Sequence, residues 1–132
     1  MKVEVTKWGS LEEARAQAKR EIDQEAERAR GRHLAPGAGQ AMEYEALSRE
    51  AERYLQGSPG AYPMLQAGVD AGETPDLNAA ANLVVNTMAQ WEMVGAKIRR
   101  VRLARKREVD AAGTQSEVAQ IRNQAKSDLG AL

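Results

Sequence analysis

The stretch 74–112 limits this chain more than any other. Thr74 is a good helix N-cap, Pro75 suits a first helical position, and Asp76 complements the positive end of a helix dipole. No proline follows Pro75. Apolar residues fall at Leu77, Ala81, Val84, Met88, Trp91, Val94, Ile98, Val101 and Val109, mostly three or four apart. The spacing predicts one helix over 75–112, roughly 55 Å long at 1.5 Å per residue. That is longer than a small globule is wide, so the rest of the chain must be arranged along a rod. Gly113 ends it, and Thr114 with Glu117 forms a capping box for a final helix carrying Val118, Ile121, Ala125 and Leu129. So short a break predicts a helical hairpin.

The segments before the rod are also helical. Ser10 and Glu13 make a second capping box and open a helix over 11–30, whose stripe of Leu11, Ala14, Ala18, Ile22, Ala26 and Ala29 is mostly alanine. Breakers at 31–39 precede a helix over 40–56 with Met42, Tyr44, Leu47, Ala51, Tyr54 and Leu55 on one face. Gly57-Ser-Pro-Gly60 is a turn, and 62–72 reads as a short helix with Pro63 in its first turn and Gly72 just past its end. Only residues 1–8 alternate as a strand does, with Val3 and Val5 on one side and Trp8 closing the segment. The expected fold is all-α: an elongated helical hairpin or bundle of four to five helices with a short N-terminal β-strand arm. The expected divisions are an extended arm over 1–9, a helical hairpin over 10–57, and a second hairpin over 58–132 built on the long helix. The arm either frays or adds to a neighbouring chain's sheet.

Composition bears on what such a rod can do. The chain has 132 residues and no Phe, and much of its 42% hydrophobic content is alanine, so a lone copy would bury a thin core. Self-association or docking on a larger partner would make up the shortfall, and a homo-oligomer is expected. The 19 basic and 19 acidic residues cancel, which removes any global field pointing to nucleic acid or membrane. Locally they separate: 58–95 carries four acids and no Lys or Arg, while 96–110 carries seven bases and two acids. No run is long and apolar enough for a membrane span, and Met-Lys-Val-Glu-Val lacks the apolar core of a signal peptide, so export by that route is not expected. Zero cysteines exclude thiol chemistry and fit a reducing cytoplasm.

Catalysis is not expected. The carboxylate pairs (Glu12/Glu13, Glu25/Glu27, Glu43/Glu45, Glu50/Glu52) lie on charged faces where nothing would separate their pKa values. His33 has no second histidine or cysteine with which to hold a metal, and no cofactor motif follows a strand. The strongest local feature is the basic run of Lys97, Arg99, Arg100, Arg102, Arg105, Lys106 and Arg107. It reads as a solvated face complementary to acids of a neighbouring helix, as a surface for an acidic protein, or as a phosphate-binding stripe. No aromatic or base-reading amide is interleaved, which argues against sequence-specific nucleic-acid recognition. Trp91 followed by Gly95, with Ile98, Val101, Tyr62 and Leu65, is a packing or interface set, and the space beside Gly95 is expected to hold the last helix or another subunit.

Tyr62-Pro63-Met64-Leu65, the short helix ending at Gly72, Trp91 at the centre of the long helix, Ile98 with its arginines, and Ala112-Gly113-Thr114 together resemble small helical modules of tailed-bacteriophage tail proteins. The helix at 11–30 leading to Leu47-Ser48-Arg49 is similar to their N-terminal part. The chain departs from the pattern at Gly68, at Asp70 and in its arginine density. The resemblance implies a non-enzymatic tail, baseplate or tail-fibre-associated structural protein of the virion, made in the bacterial host cytoplasm, whose partners are other tail proteins or the fibre. Its alternatives are a tail-fibre assembly chaperone absent from the mature particle, and a small nucleic-acid-binding regulator using 97–107.

Overall fold

The computed structural model describes residues 8–33 and 38–132, the side chains of 38–40 excepted. These form five helices: α1 (Leu11–His33), α2 (Ala38–Leu55), α3 (Pro63–Asp70), α4 (Leu77–Ala111) and α5 (Gln115–Gly130). The fold is all-α, with no strand among the described residues. Val3 and Val5 of the expected strand arm lie outside them. Trp8 does not: it is half-buried against the core beside α1 and has the Arg122 guanidinium 5.2 Å above its ring.

Two compact units emerge. Met1–His33 and Val94–Leu132 make unit 1, Leu34–Met93 makes unit 2, and α4 contributes to both. This division differs from the hairpins read at 10–57 and 58–132, because α1 takes its partners from α4 and α5. The reason lies in side-chain size. Ala14, Ala18, Ala26 and Ala29 are fully buried, and a seam of methyl groups makes good contact only with a helix that comes close. α5 presents Ala119 and Ala125, also buried, and the α4 end adds Ala112.

Unit 1 is a three-helix bundle. Arg15 donates to the Ala112 carbonyl and Lys19 reaches Asp110, while Asp23 meets Arg102 and Lys106, so α4 descends as α1 rises. Glu21 meets Lys126, Arg32 donates to the Leu129 carbonyl, and the His33 Nε2–H donates to the Leu132 carbonyl at 2.8 Å, so α5 rises beside α1. Two clusters fill the interior: Ile22, Val109 and Val118 toward one end, Ile98 and Leu129 toward the other. Both expected capping boxes form. Ser10 Oγ accepts from the Glu13 N–H and Thr114 Oγ1 from the Glu117 N–H, each at 3.1 Å. Each glutamate reaches back to the preceding glycine, Gly9 or Gly113.

Unit 2 joins α2, α3 and the first part of α4 around Ala51, Leu65, Ala80 and Ala81. Its turns are set by two left-handed glycines. Gly57 (φ 75°) closes α2 with Ser58 N–H bonding back to Arg53, and Gly72 (φ 83°) closes α3 with Glu73 N–H bonding back to Gly68. α4 begins later than the sequence suggests. Asp76, not Thr74, is its cap, accepting the Ala79 N–H at 2.8 Å. Thr74 is buried just ahead of it, with Pro75 between them.

Candidate partner-binding surfaces

The basic run divides in two. Arg105 pairs with Asp128 at 2.7 Å and with Glu108 at 2.9 Å, while Arg102 and Lys106 converge on Asp23 at 3.3 and 3.0 Å. These three cations stitch α4 to α5 and α1. Partly exposed pairs of this kind contribute roughly 0–1 kcal/mol each, so they orient the helices more than they stabilise them. Burial pushes the Asp23 carboxyl up, but hydrogen bonds from Lys106 and Arg102 outweigh it and hold the group below its ordinary range. Arg105, helped by Gln124, does the same for Asp128, and Arg105 is itself held above its usual value by Asp128 and Glu108.

A carboxyl lowered in the folded state adds stability that is present above its unfolded value of about 3.9 and is lost as pH falls through the folded one. Unit 1 should therefore keep a level urea midpoint from pH 7 to about 5 and lose stability below about pH 4. Asp23→Asn combined with Asp128→Asn should flatten that fall, and an unchanged acid limb would show that other carboxyls govern it.

Lys97, Arg99, Arg100 and Arg107 form the other set. All four are exposed, and none has an ion-pair partner among the described residues. Leu103, also exposed, sits on the same side of α4, three or four residues from Arg99, Arg100 and Arg107. This is the outer face of unit 1.

The packing set is partly interior. Ile98 is fully buried in unit 1 with Val101 beside it, and Leu65 is buried in unit 2. Tyr62 stands edge-on to Tyr54 at 5.4 Å under the Arg53 guanidinium, and its hydroxyl donates to the Ser58 carbonyl. Trp91 meets Tyr44 of α2 edge-on at 4.3 Å. The space beside Gly95 does not hold the last helix: a Cβ there would meet no atom within 4 Å.

Unit 2 is the more open body. Among the described residues, Leu65 is the only one of the largest fully buried side chains that belongs to it, whereas Met42, Leu55, Leu83, Val85 and Met93, five of the six exposed large hydrophobics, lie on it. A groove of about 540 Å³ runs among its helices, floored by Leu47, Leu65 and Val84 and bordered by Glu43, Glu73 and Leu83. A second, of about 490 Å³, lies on the other side of Tyr44, against Met88 and Trp91. The charges divide with the units. Residues 34–93 hold 2 Lys and Arg against 8 Asp and Glu, net −6; the remainder holds 17 against 11, net +6. Neither groove was foreseen. In the sequence Tyr44 is one residue of the apolar face over 40–56, and the base-free stretch 58–95 is the one signal that points toward them.

The carboxylate pairs do not gather. Glu25, Glu27 and Glu45 each pair with an arginine one turn away, and Glu50 is buried against α3. Among the described residues no three His, Asp or Glu side chains group as metal ligands, and no helix is long and apolar enough to cross a membrane. No family model, curated protein or solved structure matches the chain.

Proposed function

We propose that this chain is a non-enzymatic assembly protein that works by packing against other polypeptides. The observation that carries this reading is unit 2, where among the described residues five large apolar side chains are exposed and one is fully buried, beside two open grooves. Exposed apolar area of this kind on a small body marks an interaction site. The setting, a bacteriophage tail in which it joins the baseplate or fibre, is supported by the resemblance of Tyr62-Pro63-Met64-Leu65, Trp91 and Ala112-Gly113-Thr114 to tail modules.

Mass spectrometry of purified phage particles tests it. The expected result is the chain present at a fixed ratio to a tail or fibre protein. Its absence from particles, with recovery bound to the fibre in infected-cell lysate, would convert the role to that of an assembly chaperone. Absence from both would overturn the tail setting.

A further inference from the structure

We propose that copies of this chain associate head to tail, the basic outer face of α4 in unit 1 of one copy docking on the acid-bordered groove of unit 2 in the next. The proposal rests on the assembly reading and names one partner for it, a second copy. Charge complementarity selects that partner. The zero net charge of the chain conceals a unit of +6 and a unit of −6. On the positive unit, the exposed and unengaged cations Arg99, Arg100 and Arg107 flank Leu103, the one large exposed hydrophobic among its described residues, with Lys97 further round the helix. On the negative unit, the groove offers an apolar floor, a half-exposed Leu83, and the carboxylates of Glu43 and Glu73, with no base among its lining residues.

The two surfaces are complementary in kind: a leucine between arginines meets an apolar floor between glutamates. Leu103 packs on Leu47, Leu83 and Val84, while Arg100 and Arg107, on either side of it along the helix, reach the two carboxylates. A polyanion fits less well, because the acidic unit would repel it and the basic face has no aromatic on which a base could stack. In this head-to-tail arrangement each copy gives one surface to each of two neighbours, which builds a ring or an open chain, whereas a reciprocal pair that uses both surfaces twice across a two-fold axis would stop at a dimer.

The test is a charge swap read by light scattering on the full chain. At salt on the order of 20 mM, where screening is weak, the wild type should exceed its 14.4 kDa monomer mass, and at about 1 M it should return to it. Arg100→Glu with Arg107→Glu, or Glu43→Arg with Glu73→Arg, should each lower the association constant at least about tenfold, because like charges then face each other. None of the four side chains has a hydrogen-bond or ion-pair partner among the described residues, so helicity should be unchanged. The variant carrying all four substitutions should associate again. A monomer at low salt, association indifferent to either reversal, or no recovery in the fourfold variant would overturn the proposal. So would retention on a DNA column at the salt that dissolves the self-association. The two readings fail separately: a monomeric chain found in particles overturns the self-docking alone, and an oligomeric chain missing from both particles and lysate complexes overturns the tail setting alone.

Discussion

Ile22→Ala is expected to lower the stability of unit 1 by about 2–5 kcal/mol, the usual range for emptying a buried isoleucine site. A body of this size holds roughly 4–11 kcal/mol in all, so about a fifth or more of its stability would go. The expectation follows from how little else fills the bundle. Ten of the sixteen buried apolar side chains among the described residues are alanine, each contributing one methyl, which leaves Ile22, Ile98, Val109, Val118 and Leu129 as the bulk of unit 1. Neighbours that are mostly methyl groups on helix backbones cannot fold inward to fill the hole, so the cost should sit in the upper part of the range. Two tryptophans make the measurement selective, since Trp8 stands in unit 1 and Trp91 in unit 2. In a Trp91→Phe background, fluorescence unfolding in urea should show the Trp8 transition moving to lower denaturant. A shift worth less than about 1 kcal/mol would mean that the alanine seam, and not the few large side chains, carries the bundle.

The local structure of the chain is legible in its sequence because the signals for it lie within a few residues of one another. Ser10 with Glu13, Thr114 with Glu117, and the glycines at 57 and 72 satisfy backbone groups one turn away, and each does in the fold what its spacing implies. Thr74 is the exception. Two residues later Asp76 offers a stronger cap, and Thr74 is buried instead. The pairing of helices is not legible in this way. An alanine stripe states that a close neighbour exists but not which one, and α1 finds α4 and α5, far along the chain.

The basic run is legible only in part, for the same reason. The run at 97–107 is uniform as a string, yet Asp23 and Asp128 divide it into a structural half and an outward half. Those two acids stand on other helices, so no inspection of the run itself could separate Arg102, Arg105 and Lys106 from Lys97, Arg99, Arg100 and Arg107. The contrast between the remaining bases and unit 2 already shows in sequence as the base-free stretch 58–95 beside the basic 96–110, and the unit boundaries at 33 and 93 extend it to whole bodies of −6 and +6 that the balance of 19 against 19 conceals.

Glu50→Ala should release α3 from unit 2. Tyr62, at the N-cap of that helix, makes no side-chain capping bond, and Pro63 follows it. The unpaired first-turn amides are met instead by a carboxylate from α2: Glu50 accepts the Met64 N–H at 3.0 Å and the Leu65 N–H at 3.1 Å. Glu50 is 7% exposed, so water is poorly placed to replace it. A negative charge at that end also faces the favourable pole of the helix dipole. Leaving the buried amides without an acceptor should cost about 1–3 kcal/mol, and more because the bonds are charge-assisted. The same helix carries Leu65, the one large fully buried side chain among the described residues of unit 2, so its release would take the core of that unit with it. Hydrogen exchange reads this directly. Protection of the Leu65 amide should fall at least about tenfold, since 1.4 kcal/mol corresponds to a factor of ten, while amides of α1 and α5 keep theirs. Glu50→Gln, which retains an acceptor oxygen without the charge, should fall between wild type and alanine. Equal loss in both variants would make the charge the decisive part of the contact, and no loss in either would show that α3 is held by Leu65 alone.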